Sequence, residues 1–366
     1  MRIAIAGGSM AGLFSAALLQ QAGHEVHVFE RSRSGLEGRG AGLVAQEEVF
    51  TLLRAIGRDD VAALGVVARE RITLDRAGAV LGRDPRPQMQ VSWDHLYVAA
   101  RAGIAPDRYH LGTAAIAAGQ GEDDAWLELD DGTQVHADLV IGADGIGSAV
   151  RAAVLQRDDG PHYAGYVAWR ALVHEQRLPG SAADLLSDRF AFFHMPGGQV
   201  LGYTVAGPRG ELDVGERRYN AVWYRKSPDL AAALTDGEGR THPFSLPPGG
   251  VSAAARAKLV ADAGHLLPPQ FAQVFAAVPA PFAQAIFDME TPHMADRRIA
   301  LIGDAAFVAR PHTAMGVAKA AGDAMSVAKA VEQGWTAEAR AAFEAERLRA
   351  GRAIVDYGRR LGSSLA

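Results

Sequence analysis

The sequence predicts an α/β protein, with a Rossmann-like nucleotide-binding domain, a mixed β-sheet domain inserted into it and helices at the C-terminal end. Three observations carry that expectation. The chain opens "RIAIAGGSMAGLFSAALLQQ", an apolar strand, a glycine turn and a helix-patterned stretch. A second strand-like run, "EVHVFE", follows directly and ends in an acid at Glu30. From about Tyr166 to Arg225 the pattern changes to aromatic-rich alternating strands, and helical patterning returns only afterwards.

The elements follow in order. "RIAIAG" (Arg2 to Gly7) reads as a fully buried strand, Ala11 to Gln21 as a helix stopped by Gly23, and Glu25 to Glu30 as the second strand of a βαβ unit. Leu43 to Gly57 has a helical pattern ending at glycine. Ala125 to Gly145 predicts a hairpin turning at Asp131-Gly132 and then a buried strand. "YVAWRALV", "RFAFFHM", "QVLGYTVAG" and "RYNAVWYR" predict four strands of the inserted sheet. Gly249 to Phe275 reads as helical, "RRIALIGD" as a strand, and Ala337 to Arg360 as a long terminal helix. The expected division is 1–70, 96–165 and 280–366 for the nucleotide-binding domain, with 71–95 and 166–279 for the inserted one.

Composition narrows the function classes. The 366 residues are 49% hydrophobic and 22% charged, with a net charge of −5, an ordinary globular balance. No concentrated basic stripe points to nucleic acid. With no cysteine, disulfides, thiolate catalysis and cysteine-ligated zinc are excluded. No signal-peptide pattern opens the chain, and no apolar run approaches 18 residues. A cytoplasmic protein with neither a membrane nor a nucleic-acid partner is the expectation.

The stretch "AGGSMAG" admits two readings. Gly7-x-Ser9-x-x-Gly12 is one residue from the dinucleotide fingerprint, and Gly7-x-Ser9-x-Ala11 is one residue from a hydrolase nucleophile elbow. Both need a strand, a turn and a helix. Position favours the cradle, because an elbow normally follows several strands of its sheet. Glu30, 18 positions after Gly12, supplies the acid that a ribose hydroxyl requires.

Further motifs lie far along the chain. "DLVIGADGIGSAVR" contains D-G-x-x-S-x-x-R at Asp144, Gly145, Ser148 and Arg151. "RIALIGDAAFVARPHTAMGVAKAAGDA" matches a G-D-A…P…G…D-A segment at Gly303, Asp304, Ala305, Pro311, Gly316, Asp323 and Ala324. With these three motifs in order, the chain resembles the single-component FAD-dependent aromatic hydroxylases. "GRGAGLVAQ", "GYVAWRALV" and "AAFVARPHTA" look closest to the 2,6-dihydroxypyridine hydroxylase branch. Two positions depart from the family pattern: Phe307 stands where histidine is common, and Ala314 where the first glycine of the flavin loop is common.

The resemblance implies a Rossmann-like FAD-binding domain, an inserted substrate sheet and a set of roles. Gly7, Ser9, Met10, Ala11 and Gly12 would hold the FAD pyrophosphate, and Glu30, followed by Arg31, the adenosine ribose. Arg39 and Gln46 would lie near the flavin, with Asp144 and Gly145 also among the cofactor residues. Gly303 and Asp304 would meet the ribityl chain, the alternative for Asp304 being a helix cap. Pro311, Ala314, Met315, Gly316 and Val317 would open a helix whose amides face the flavin's pyrimidine edge, where a helix N-terminus stabilises an anion.

The same resemblance implies NADH or NADPH as a transient reductant, since no second dinucleotide fingerprint follows. O2 would react through a flavin C4a-hydroperoxide to hydroxylate a small aromatic or N-heteroaromatic substrate, in a monomer or homodimer. Candidates for deprotonating the ring are His194, Tyr203 and His312; a histidine titrates near neutral pH, though an isolated one on a strand is more often structural. Tyr166, Trp169 and Arg170 are candidates for the substrate pocket, although strand aromatics commonly belong to a core. A flavoprotein reductase or epoxidase acting on a lipophilic substrate, and a non-catalytic nucleotide-fold binder, are the competing functions.

Overall fold

A computed structural model of the chain describes residues 1–38, 42–44, 46–62, 65–155 and 160–365. Its first sheet runs, edge to edge, through Ala295–Asp296, Ile299–Leu301, Leu139–Gly142, Arg2–Ala6, Glu25–Glu30 and Tyr109–Leu111. All but the first of these pair in parallel. Parallel strands end together, so Gly7, Arg31, Ala143 and Ile302 all emerge on one edge of the sheet. Ligands bind at that edge in open α/β sheets.

The strands Arg2–Ala6 and Leu139–Gly142 are apolar because both faces are covered. The helix Met10–Gln21 packs against the helix Gly316–Glu332 on one face. On the other lies a three-stranded sheet, Ala115–Gln120, Ala125–Leu129 and Gln134–Ala137. Its expected hairpin turns at Gly132, which has φ +84°, with Asp131 accepting the Thr133 amide at 2.9 Å.

The second large sheet has nine strands and is mainly antiparallel. Its centre is His162–His174, Arg218–Lys226, Gly198–Val205 and Arg189–Met195, four strands anticipated from pattern. Glu70–Leu74 joins it in parallel beyond Arg189–Met195, and Phe282–Glu290 pairs on the other side of His162–His174. Alternation gives this sheet two faces. Ala171, Val173, Phe193, Tyr219 and Trp223 form a buried cluster with the helices Gly180–Leu186, Ala253–Leu266 and Pro269–Ala277. The opposite face carries Tyr166, Arg170, Tyr203 and Tyr224.

Three local expectations are corrected. Gly42–Val44 is a strand, because it pairs with Gln88–Ser92, and the helix spans only Glu47–Ala55. The stretch 249–275 breaks at Leu267, whose extended backbone precedes Pro268 and Pro269. The terminal helix, Ala337–Leu361, runs one residue further than expected, started by Thr336 accepting the Ala339 amide at 3.2 Å. Among the described residues no helix is long and apolar enough to cross a membrane.

Candidate active site

Backbone contact explains the glycines of the first turn. Gly7 has φ +99°, and a Cβ there would collide with the Ala143 carbonyl; a Cβ on Gly12 would collide with the Gly7 carbonyl. Glu30 is buried and does more than end its strand. Its Oε2 accepts the Gly8 amide at 2.9 Å and its Oε1 the Ser32 amide at 2.8 Å. The Tyr109 hydroxyl donates to the Gly8 carbonyl at 3.0 Å. The turn is therefore held from two neighbouring strands.

Ser9 begins the helix Met10–Gln21 without a side-chain cap bond, and no acid sits in the first turn. The Ser9 hydroxyl and the unbonded amides that open the helix form an anion cradle. A serine nucleophile would need a base, and none touches Ser9 among the described residues. Arg31 is exposed beside this turn. Arg39 lies outside the described residues.

The loop after Leu139–Gly142 braces itself. Asp144 accepts from the Ser148 hydroxyl at 2.5 Å and from the amides of Ala149 and Val150 at 2.7 and 3.2 Å, with Gly145 at φ +81°. Burial pushes the Asp144 carboxyl up. Arg151 is buried and donates to the carbonyls of Ile146 and Ala305 at 3.1 and 3.3 Å, tying this loop to the next. Thus both Asp144 oxygens are committed within the loop.

At the third loop Gly303 has φ +61° and its amide donates to Asp323 at 2.9 Å. Asp304 turns outward, with Lys319 behind it at 3.3 Å. Phe307 is buried against Gly351 of the terminal helix, where a Cβ would overlap its ring; the position serves packing. Pro311–Thr313 forms a short turn, Ala314 takes the left-handed conformation at φ +53°, and Met315 precedes the helix Gly316–Glu332. Gln46 Nε2 donates to the Ala314 carbonyl at 3.0 Å. No acid occupies the first turn of Gly316–Glu332, where Val317 is half-buried.

The substrate candidates separate by sheet face. Tyr166 is fully buried and its hydroxyl meets His312 Nε2 at 2.8 Å. Arg310 donates to the Tyr166 hydroxyl at 3.4 Å and grips Asp288 at 2.7 and 2.9 Å. The Tyr224 ring lies 4.0 Å from that of His312. Burial, reinforced by the Arg310 and Arg170 guanidinium groups, lowers His312 to about 4, so its imidazole is neutral near pH 7. Arg170 projects from the same face; its buried Nε has no hydrogen-bond partner, and the guanidinium has no carboxylate partner among the described residues.

Three expected pocket residues have other placements. Trp169 lies on the opposite face, paired with Trp223 above the helix layer, because an odd position on this strand points away from Tyr166 and Arg170. His194 is exposed, meeting the Gln199 side chain at 3.3 Å. The Tyr203 hydroxyl donates to the Gly42 carbonyl at 2.6 Å, and burial pushes it up to about 12; it shapes the face and is a poor base. Pattern gave no hint of Tyr109, Tyr224 or Lys319. Only their three-dimensional neighbours distinguish them from core residues.

The profile of the FAD binding domain family matches residues 1–179, and one described as FAD binding domain-like matches 163–288. Over 335 residues the chain is 31% identical to the 2,6-dihydroxypyridine 3-monooxygenase of Paenarthrobacter nicotinovorans, covering 90% of this chain and 82% of that one. The chain belongs to the FAD-binding monooxygenase family.

This monooxygenase is also 27% identical over 358 residues to the 6-hydroxynicotinate 3-monooxygenase of Bordetella bronchiseptica, covering 93% and 85% of the two chains. The solved 2,6-dihydroxypyridine-3-hydroxylase of Arthrobacter nicotinovorans has a TM-score of 0.92 at 29% identity, over 100% of this chain and 92% of that one. A Klebsiella pneumoniae protein solved with FAD and uric acid shares the fold, with a TM-score of 0.76 at 23% identity over 98% and 87%. FAD is the cofactor of the monooxygenase. The cradle fits it: two glycines where a Cβ would collide, a free serine hydroxyl, and two helix N-termini without acids.

Proposed function

We propose that this monooxygenase hydroxylates a hydroxylated aromatic or N-heteroaromatic ring of the 2,6-dihydroxypyridine kind, using NADH or NADPH and O2. The observation that carries this is the neutral His312 beside Arg170, whose guanidinium has no carboxylate partner among the described residues, on the sheet face that meets the loop before Gly316–Glu332. When bound and reduced, FAD supplies the activated oxygen.

The chain's own residues do the rest. Gly7, Ser9, Met10, Ala11 and Gly12 receive the pyrophosphate, Glu30 and Arg31 the adenosine end, Asp304 the ribityl hydroxyls, and the Gly316 and Val317 amides the pyrimidine edge. Asp144, Gly145, Gly303, Pro311, Ala314, Met315 and Gln46 shape the loops around them. With the imidazole proton on Nε2, donated to the Tyr166 oxygen 2.8 Å away, Nδ1 is the free base that takes a proton from the ring hydroxyl. Arg170 faces the resulting oxyanion. That anion offsets the two guanidinium charges that depress the imidazole, so proton transfer and charge pairing reinforce each other. Tyr203 and Tyr224 close the apolar sides and help exclude water.

We assign 1–70, 96–165 and 280–366 to the cofactor unit and 71–95 and 166–279 to the substrate unit, with the strand Phe282–Glu290 bridging them. We place the protein in the cytoplasm as a monomer or homodimer. A lipophilic substrate fits poorly, because it would leave Arg170 buried without a counter-charge. The test is a panel of hydroxypyridines and phenols, following substrate-stimulated NAD(P)H oxidation and product mass. A product heavier by one oxygen supports the assignment; oxidation without oxygen transfer across the panel overturns it.

A further inference from the structure

The helix Gly316–Glu332 carries an ammonium group that the roles above leave unused. Lys319 lies one turn from its start, with a side chain only 1% exposed. Burying a lone ammonium costs several kcal/mol unless it is well paired. Its Nζ has no hydrogen-bond partner among the described residues. The nearest carboxylate, Asp304 Oδ1, is 3.3 Å away and belongs to a side chain that is 55% exposed. The other nearby acid, Asp323, is already committed: it accepts Arg347 Nε at 2.6 Å and the Gly303 amide at 2.9 Å. Lys319 is thus aimed, from inside the fold, at the one carboxylate that faces outward from the loop 303–305.

We propose that Lys319 is a positioning residue for FAD, acting through Asp304. Its ammonium holds Oδ1 from behind, which leaves Oδ2 open to a hydroxyl of the cofactor. It also cancels the carboxylate charge where a dianionic pyrophosphate must approach. A bare Asp304 would supply the hydrogen-bond acceptor but repel the cofactor; with Lys319 the acceptor remains and the repulsion is removed. The inference rests on Asp304 facing the cofactor, as proposed above.

The test is a double-mutant cycle on the deflavinated full-length protein, titrated with FAD and read by flavin fluorescence. Asp304→Asn is expected to weaken binding about tenfold, and Lys319→Met by about tenfold or more. In the Asp304→Asn background, Lys319→Met should change the Kd by less than about twofold. Lys319→Gln, which keeps a donor without the charge, should fall between the parent and Lys319→Met, and serves equally if the methionine variant does not fold. Deflavinated Lys319→Met should melt no lower than the parent, because the buried charge is a cost to the empty protein.

Equal weakening by Lys319→Met in both backgrounds overturns the proposal, as does a lowered melting temperature or parental affinity in Lys319→Gln. If Asp304→Asn alone leaves FAD affinity unchanged, the placement of Asp304 at the cofactor falls first. If Asp304→Asn weakens binding while Lys319→Met does not, only the role of Lys319 falls.

Discussion

The cofactor cradle and the substrate face are built in opposite ways. The cradle is backbone: Gly7 and Gly12 are bare because carbonyls occupy the space of a side chain, Glu30 accepts backbone amides with both oxygens, and Asp144 accepts two amides and the Ser148 hydroxyl. The substrate face is side chain: Tyr166 and Arg170 from one strand, Tyr224 from its neighbour and His312 from the turn Pro311–Thr313 meet only in three dimensions. A backbone site tolerates almost no added atom and discriminates little among ligands that carry the same phosphates. A side-chain site changes its chemistry with one substitution and leaves the fold intact.

Gly12→Val gives the sharpest test of that contrast. It should abolish FAD retention, with a loss of more than about a hundredfold in affinity, visible as colourless purified protein. A yellow variant would mean that the cradle yields more than backbone contact allows. His312→Ala should keep its flavin while kcat falls by about 10² to 10⁴, measured as product formation under saturating substrate. A parallel loss of flavin would blur the two regions into one.

pH separates them as well. His312 is depressed from its ordinary 6.5 to about 4, so the unfolded chain binds the extra proton between those values. Stability is therefore greatest above about pH 6.5 and declines as the pH falls towards 4, by about 3 kcal/mol at most. His312→Phe should flatten this part of the profile in denaturant melts. Arg170→Met should raise KM about 10- to 100-fold for an acidic ring and leave FAD affinity unchanged, read by paired kinetics and flavin titration.

Ser9→Gly should weaken FAD binding only about two- to fivefold, since one neutral hydrogen bond is at stake. The smallest effect is expected at Ala314, whose left-handed backbone at φ +53° suits glycine. Ala314→Gly relieves about 1–2 kcal/mol of strain but frees the unfolded chain. A net gain of about 0.5 kcal/mol in a thermal melt would follow; a loss would show that the Ala314 methyl packs usefully.

The same division explains what could be read from the chain alone. Strands and turns of the cradle were legible because their constraint is local: a glycine or an acid at a fixed spacing from a strand end. His194 lies on the face of Tyr203 and Tyr224 but is exposed, and Trp169 was misplaced for the opposite reason. Alternation shows that neighbouring strand residues face apart, but not which face the helices will cover. The break at Pro268-Pro269 was legible in principle, since tandem prolines cannot continue a helix. Gly42–Val44 was not, because its strand exists only through pairing with Gln88–Ser92. Lys319 sits in a helix that reads as ordinary until Asp304 is seen beside it.

The ion pair between Arg310 and Asp288 extends outward to Arg359 of the terminal helix, 3.6 Å from Asp288. Arg310 also touches the end of that helix, donating to the Gly362 carbonyl at 3.4 Å. The tail of the chain is therefore a handle on the imidazole. An engineer seeking a stronger base need not touch the pocket wall: altering the tail so that Arg310 draws away from Tyr166 removes one of the two positive charges that weaken His312.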